Sequence, residues 1–275
     1  MKKYLTRLIK NKHKFILKSL IEAKSVYGEI NYFAFKLKKK CKLGSKGDRI
    51  FIPLDEIITS YILRYGCWDP EIVDFIKKNI KKKDNILIDI GANIGLMTRQ
   101  LILSKIKFKK IFCIEPNSEN FKLLKENLCI FRNIKYLNCG LGQRKSISKI
   151  YLNKYNFGDY SFKKKTEKYE KAIIENVNSF FKKNIKNNKN IIYKSDTQGM
   201  DEEILLSLDK KYFQKIYILI IEITNHAIIL KNKNNFIDIL RNFKKFSSKD
   251  RNILSINEIL NKIENKNEFD LFMSK

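Results

Sequence analysis

No CxxC pair occurs in this 275-residue sequence, and its five cysteines, Cys41, Cys67, Cys113, Cys129 and Cys139, are odd in number. Metal-ligand spacing is absent, so no metal site is expected, and a reduced, cytoplasmic setting is. Long apolar runs are missing too. The longest, Ile216 to Ile223, falls far short of a bilayer span and already carries Glu222. The opening MKKYLTRLIKNKHKF lacks the apolar stretch of a secretory signal. Arginine is scarce, at eight of the 57 basic residues, although the net charge of +28 would by itself invite a nucleic-acid partner. Recognition of phosphates and bases favours the arginine fork, and abundant Lys, Asn and Ile read instead as compositional bias. Nucleic acid is therefore not the expected partner.

What is present suffices for a sizeable core: 44% of residues are hydrophobic and 12% aromatic. The first 25 residues predict a basic amphipathic helix, with Leu5, Leu8, Ile9, Ile16 and Leu20 near one face. Such a helix suits peripheral contact with an anionic membrane, or packing on the rest of the chain. The charged connector KLKKKCKLGSKGD, Lys36 to Asp48, divides the sequence into an N-terminal extension, residues 1–48, and a main domain, residues 49–275.

Beyond the connector, helix and strand patterns alternate. Helices are expected over EIVDFIKKNI, GLMTRQLILSK, SENFKLLKENL (capped by Ser118), DEEILLSL and NNFIDILRNF. Strands are expected over NILIDIG, KKIFCIEP, IKYLNCGLG, NIIYKSD, KIYILIIEI and EFDLFMSK, with a hairpin formed by KSISKIYLN and FGDYSF. Lys163 to Lys171 and Lys182 to Lys189 read as solvated loops. The pattern predicts an α/β, mostly parallel, doubly wound sheet with helices on both faces and an extra hairpin after its third strand.

The stretch IDIGANIG, Ile88 to Gly95, has the properties of a ligand loop at a strand's carboxyl end. A dinucleotide fingerprint needs a third glycine where this chain has Leu96, and Asn93 replaces the middle one. No Gly-Lys-Ser/Thr follows, which disfavours a nucleotide triphosphate. S-adenosylmethionine has no pyrophosphate to cradle. Asp89 would suit its cationic methionine end, and Glu115, closing the next strand, its ribose hydroxyls.

Asp89-Ile-Gly91-Ala-Asn93-Ile-Gly95, Ile114-Glu115-Pro116 and YKSDTQGMDEEIL, with RYGCWDPE and FGDYSF, resemble the FkbM family of S-adenosylmethionine-dependent methyltransferases. The resemblance spans about Asp55 to Glu222. It implies a Rossmann-like class I methyltransferase that methylates a hydroxyl of a sugar, glycan or small metabolite. On that resemblance Gly91, Asn93 and Gly95 form the cofactor loop, Glu115 holds the ribose and Asn138 lies near the adenine. Gln198 stands where the family usually has Glu, and with Lys194 is expected to face the acceptor.

Methyl transfer to a hydroxyl needs alignment and profits from a base. Asp196, at the end of the fourth strand, is the first candidate for base or orienting group; it could also cap the following turn or bind the cofactor's amino group. Glu222 and His226 follow the fifth strand and are further candidates. Lys194 could orient Asp196 or pair with an anionic acceptor. A nucleic-acid methyltransferase would be expected to carry a proline-aromatic motif where this chain has Asp196-Thr197-Gln198-Gly199. A non-catalytic module that only binds the cofactor is the other alternative.

Overall fold

Every residue of the strand Asn85–Ile90 is buried, as a central strand covered by helices on both faces requires. The computed structural model containing it describes residues 32–37, 39–55, 57–80, 84–153, 155–185 and 190–275. Elements run in the order β1 (Tyr32–Lys36), β2 (Arg49–Pro53), α1 (Ile58–Tyr65), α2 (Pro70–Asn79), β3 (Asn85–Ile90), α3 (Leu96–Leu103), β4 (Phe108–Ile114), α4 (Ser118–Leu128), β5 (Ile134–Leu137) and β6 (Gly140–Gly142). Then come β7 (Ser146–Tyr151), β8 (Tyr169–Asn176), α5 (Val177–Asn184), β9 (Ile191–Ser195), α6 (Asp201–Ser207), α7 (Lys210–Phe213) and β10 (Ile216–Ile223). The chain closes with α8 (His226–Lys231), α9 (Lys233–Leu240), β11 (Lys245–Ser248), α10 (Ile256–Glu264) and β12 (Phe269–Ser274).

The main sheet has seven strands in the order β11-β12-β10-β9-β3-β4-β5. β5, β4, β3, β9 and β10 are mutually parallel, and β12 runs antiparallel between β10 and β11. This is the expected doubly wound, Rossmann-like α/β sheet. The chain winds outward from β3 to β5, then resumes on the other side of β3 at β9. The carboxyl ends of β3 and β9 therefore flank the topological switch point, where such sheets bind ligands.

Alternation within each strand divides the core. Ile86, Ile88 and Ile90 face one cluster with Phe180, Phe181, Ile204, Phe236 and Ile259. Leu87 joins the opposite cluster, with Val73, Met97, Leu101, Leu124 and Ile218. Each such side chain, fully buried, contributes about 1.5–3 kcal/mol.

Several expectations are corrected. The hairpin is not KSISKIYLN with FGDYSF: β7 pairs antiparallel with β8, from Ser146↔Ile174 to Tyr151↔Tyr169. FGDYSF lies in the long loop between them, touching β7 through one isolated bridge, Tyr151↔Ser161. β8 takes up the end of the expected 163–171 loop, because Ala172 and Ile174 bury one face of it. IKYLNCGLG splits into β5 and β6, and β6 joins β8 and β7 in a separate three-stranded sheet. The cap of α4 is Asn117, whose side chain accepts from Asn120 N at 2.8 Å, and Ser118 is the first helical residue.

The expected boundary at residue 48 falls inside a hairpin. β1 pairs with β2 in register Lys36↔Arg49, and the connector closes it through Leu37 N donating to Asp48 O at 2.9 Å. Leu43 is fully buried there, with Ile50, Ile52, Ile94 and Leu96. Arg99 of α3 donates from Nε to Leu43 O at 2.6 Å and from Nη1 to Asn127 O at 2.6 Å. The described residues of 32–48 thus pack as part of the main unit. The expected amphipathic helix at the N-terminus, with its membrane contact, lies outside the described residues. No helix among the described residues is long and apolar enough to cross a membrane.

Candidate functional site

β3 ends in a turn that needs left-handed backbone at Gly91 (φ 72), Asn93 (φ 49) and Gly95 (φ 84). At Gly91 the demand is also steric: a Cβ there would stand 1.8 Å from Asp196 O. The turn can therefore lie directly against the end of β9 only because position 91 has no side chain. Gly95 begins α3, and a Cβ on it would meet Leu124 Cδ1 at 2.8 Å, so its constraint is helix packing rather than ligand approach.

Glu115 follows β4 and faces the turn. Its Oε2 accepts from Asn93 N at 2.9 Å and its Oε1 from Asn117 N at 2.9 Å. Burial pushes its carboxyl up to about 7, against the opposing pull of those two N–H groups and of Lys194. Asn93 spends its side chain on the fold: Nδ2 donates to Phe157 O at 3.0 Å, and Oδ1 accepts from Ile94 N at 2.7 Å. Phe157 N in turn donates to Asp55 Oδ2 at 3.1 Å, so the β7–β8 loop is held at this one residue through both its carbonyl and its N–H.

Beneath the turn lies a buried ion pair. Lys194 Nζ sits 3.1 Å from Asp89 Oδ1 and donates to Gly91 O at 3.1 Å. Asp89 Oδ2 accepts from Thr98 Oγ1 at 2.7 Å. Asp89 and Lys194 are register partners on adjacent parallel strands. Burial works against the charge of Lys194, but Asp89 and Asp196 outweigh it and hold the ammonium above its ordinary range.

Asp196 leaves the end of β9 with its side chain 38% exposed, its Oδ2 3.9 Å from Lys194 Nζ. Gln198, held at φ 54, donates from Nε2 to Asp196 Oδ1 at 2.9 Å and to Glu222 Oε2 at 3.3 Å. Burial, reinforced by Asp196, Asp201 and Asp270, pushes the Glu222 carboxyl up to about 8. Asp201, the first residue of α6, accepts from Ser195 Oγ at 2.5 Å and Thr197 N at 3.0 Å, fixing the shape of the same loop.

These pieces border one cavity of about 1100 Å³, counting its open mouth. Gly91, Asn93, Glu115, Lys194, Asp196 and Gln198 all line it, joined by Trp68, Asn120, Phe157 and Tyr160. Trp68 is fixed by Gln100, whose side-chain amide accepts from Trp68 N at 2.8 Å and donates to its carbonyl.

Five expected site residues do not line the cavity. Asp89 is sealed below by Lys194 and Thr98, because its position in β3 turns it toward α3. Gly95 packs on α4. Asn138 donates from Nδ2 to Glu115 O at 2.9 Å and Pro116 O at 3.1 Å, bracing the strand end. His226 is buried, with Nε2 2.7 Å from Asn267 O, which makes it part of the α8 packing. Glu222 stands behind Gln198. Asp55 and Asn120 carry no signal in the sequence: besides local partners, each meets Phe157 of the β7–β8 loop, about a hundred and about forty residues away. Trp68 and Phe157 belong to the RYGCWDPE and FGDYSF stretches, but no spacing rule singles them out.

No protein-family model and no curated protein matches the sequence. Among solved structures, the methyltransferase FkbM of Methylobacillus flagellatus is similar at 16% identity and a TM-score of 0.47, over 74% of this chain and 47% of that one. This chain thus spans about half the length of that relative. A Streptococcus mutans protein in complex with SAH is similar at 13% identity and a TM-score of 0.40, over 74% of this chain and 95% of that one. The ribosomal protein L11 methylase of Lactobacillus delbrueckii is similar at 11% identity and a TM-score of 0.38, over 74% and 76%. Likeness at this level carries no argument about activity, which has to rest on the site.

Among the described residues no group of three or more His, Cys, Asp or Glu side chains is arranged to hold a metal ion.

Proposed function

We propose that this chain is an S-adenosylmethionine-dependent methyltransferase acting on a hydroxyl of a sugar, glycan or small metabolite. The observation that supports it is one cavity at the switch point bordered by a bare glycine turn, a strand-end glutamate and a second-strand aspartate. The residues fit the nucleoside half of the cofactor. Glu115 accepts one N–H on each oxygen and keeps lone pairs for two ribose hydroxyls, and the bare Gly91 lets the turn close directly against the end of β9, which brings Glu115 and Asp196 to one cavity.

When bound, the cofactor supplies an electrophilic methyl group on a sulfonium. The chain's own part is to align and to deprotonate. Gly91, Asn93 and Glu115 hold the nucleoside side. Trp68, Phe157 and Tyr160 exclude water from the cavity walls. Asp196 takes the acceptor's hydroxyl proton at a carboxylate oxygen and passes it to solvent along its exposed edge. The loop Asp196-Thr197-Gln198-Gly199 offers no aromatic side chain to stack a base, so a small or glycan acceptor is favoured over nucleic acid.

Calorimetry with S-adenosylmethionine, with NAD as the competitor ligand, tests the cofactor. A radiolabelled-methyl assay against a panel of hydroxyl compounds tests the reaction. Binding of NAD at equal strength would overturn the cofactor, and binding without turnover on any of the panel would favour a non-catalytic module.

A further inference from the structure

Glu222 does not reach the cavity, yet it shares a hydrogen-bond donor with the residue that does. Gln198 Nε2 donates to Asp196 Oδ1 at 2.9 Å and to Glu222 Oε2 at 3.3 Å, one N–H to each carboxyl. We propose that Gln198 is a positioning residue that couples Asp196 and Glu222 into one acid pair, in which Asp196 takes the acceptor's hydroxyl proton and Glu222 holds its own. This rests on the methyltransferase reading above.

Gln198 is not free to drift from that position. Its backbone is left-handed at φ 54, and its carbonyl accepts from Ser161 Oγ, in the β7–β8 loop, at 2.6 Å. The surroundings decide how the pair shares charge. Asp196 approaches Glu222 from the end of β9, Asp201 from α6, and Asp270 from β12 as its direct cross-strand partner. Lys164 of the β7–β8 loop is the cation that opposes them at Glu222, and it is itself paired with Asp159 at 2.7 Å. Lys249 is engaged elsewhere, 2.6 Å from Asp69 and 3.6 Å from Asp270. Acids therefore outnumber cations around Glu222, which holds its proton more tightly than a free carboxyl does, while Asp196, with its side chain 38% exposed, is the member of the pair that reaches the cavity. The proton moves from the acceptor oxygen to an Asp196 oxygen, and no other bond in the pair forms or breaks. A neutral amide is required at position 198, because a glutamate there would set a third carboxylate between the other two.

The test is a carboxylate carbon-13 NMR titration of the full chain, cofactor-free, for the wild type and for Gln198→Met, Gln198→Glu and Asp196→Asn. Gln198→Met withdraws a donor from the ionised form of Glu222, so the Glu222 midpoint should rise. Gln198→Glu keeps the shape but adds a charge and should raise it further, by about one unit or more. Asp196→Asn removes the charge that faces Glu222 and should lower the Glu222 midpoint, and the effect of Gln198→Met on Glu222 should shrink in the Asp196→Asn background. A residue that only supports the loop would move melting temperature without any change in how the Glu222 midpoint responds to Asp196→Asn, and that result overturns the proposal. S-adenosylmethionine calorimetry on the same samples separates the two failures. Coupled titration without cofactor binding overturns the methyltransferase reading and with it the catalytic use of the pair, whereas cofactor binding with uncoupled midpoints overturns the pair alone.

Discussion

The backbone N–H of Asn93 donates to Glu115 Oε2 at 2.9 Å, so the carboxylate that borders the cavity also holds the turn that forms its floor. Glu115→Gln keeps the volume but presents an amide that cannot accept from both Asn93 N and Asn117 N. The charge-assisted contact at stake is worth about 1.5–3 kcal/mol, so S-adenosylmethionine affinity should fall roughly 10- to 100-fold. Calorimetry returning equal affinities would remove Glu115 from the cofactor site.

The same carboxyl links binding to pH. Burial places Glu115 at about 7 in the free protein, and donors from a ribose favour its ionised form. Affinity should therefore weaken as pH falls below about 7, approaching tenfold per unit, and binding near neutrality should release protons. Comparing binding heats in buffers of different ionisation enthalpy measures that release directly.

Lys194→Met strands Asp89, which keeps only Thr98 as a side-chain partner. Breaking one half of a buried pair costs about 3–5 kcal/mol. Urea denaturation should show a loss of that order, and adding Asp89→Asn should restore much of it. A single variant as stable as the wild type would mean the pair does not carry the turn.

Asp196→Asn removes the open base without disturbing the glycine turn. Cofactor affinity should stay nearly intact while turnover falls about 10²–10⁴-fold on whichever hydroxyl acceptor the panel identifies. Normal turnover with poor cofactor binding would instead move Asp196 to the cofactor site.

Stability should decline with rising pH. Burial raises Asp55 to about 6, Glu115 and Asp201 to about 7, Glu222 to about 8 and Asp270 to about 6. Between roughly pH 4 and 8 the folded chain keeps protons that the unfolded chain has released, so the stabilisation present at low pH is lost as pH rises through each folded value. The melting temperature should be higher at pH 5.5 than at pH 8.5, and Glu222→Gln should flatten the slope. Each kcal/mol corresponds to about 2–4 °C for a chain of this size.

The sequence made some of this plain and hid the rest for physical reasons. β3 was legible because a strand buried on both faces is written as an unbroken apolar run. Glu115 was legible because an acid at the end of the next strand has few other places to face. Asp89 misleads because its strand position turns it away from the cavity toward Thr98, and its partner Lys194 stands a hundred residues away in sequence. β8 was hidden because Tyr169–Asn176 buries only alternate residues, and the nearer FGDYSF stretch mimics the returning half of a hairpin. The connector 36–48 reads as a linker by charge, while Leu37 and Leu43 carry it into the core. His226 reads as a proton carrier until Asn267, forty residues on, takes its ring nitrogen.

At Gly91 the turn after β3 rests on the end of β9 with nothing between them: Asp196 N donates to Ile90 O at 3.0 Å and Lys194 Nζ to Gly91 O at 3.1 Å. Whatever presses on the turn therefore also sets where Asp196 stands. On the methyltransferase reading this becomes a kinetic property: donor binding seats the base before any acceptor arrives. Initial-rate patterns should then be sequential and ordered, with the methyl donor first, and the spent donor should leave last.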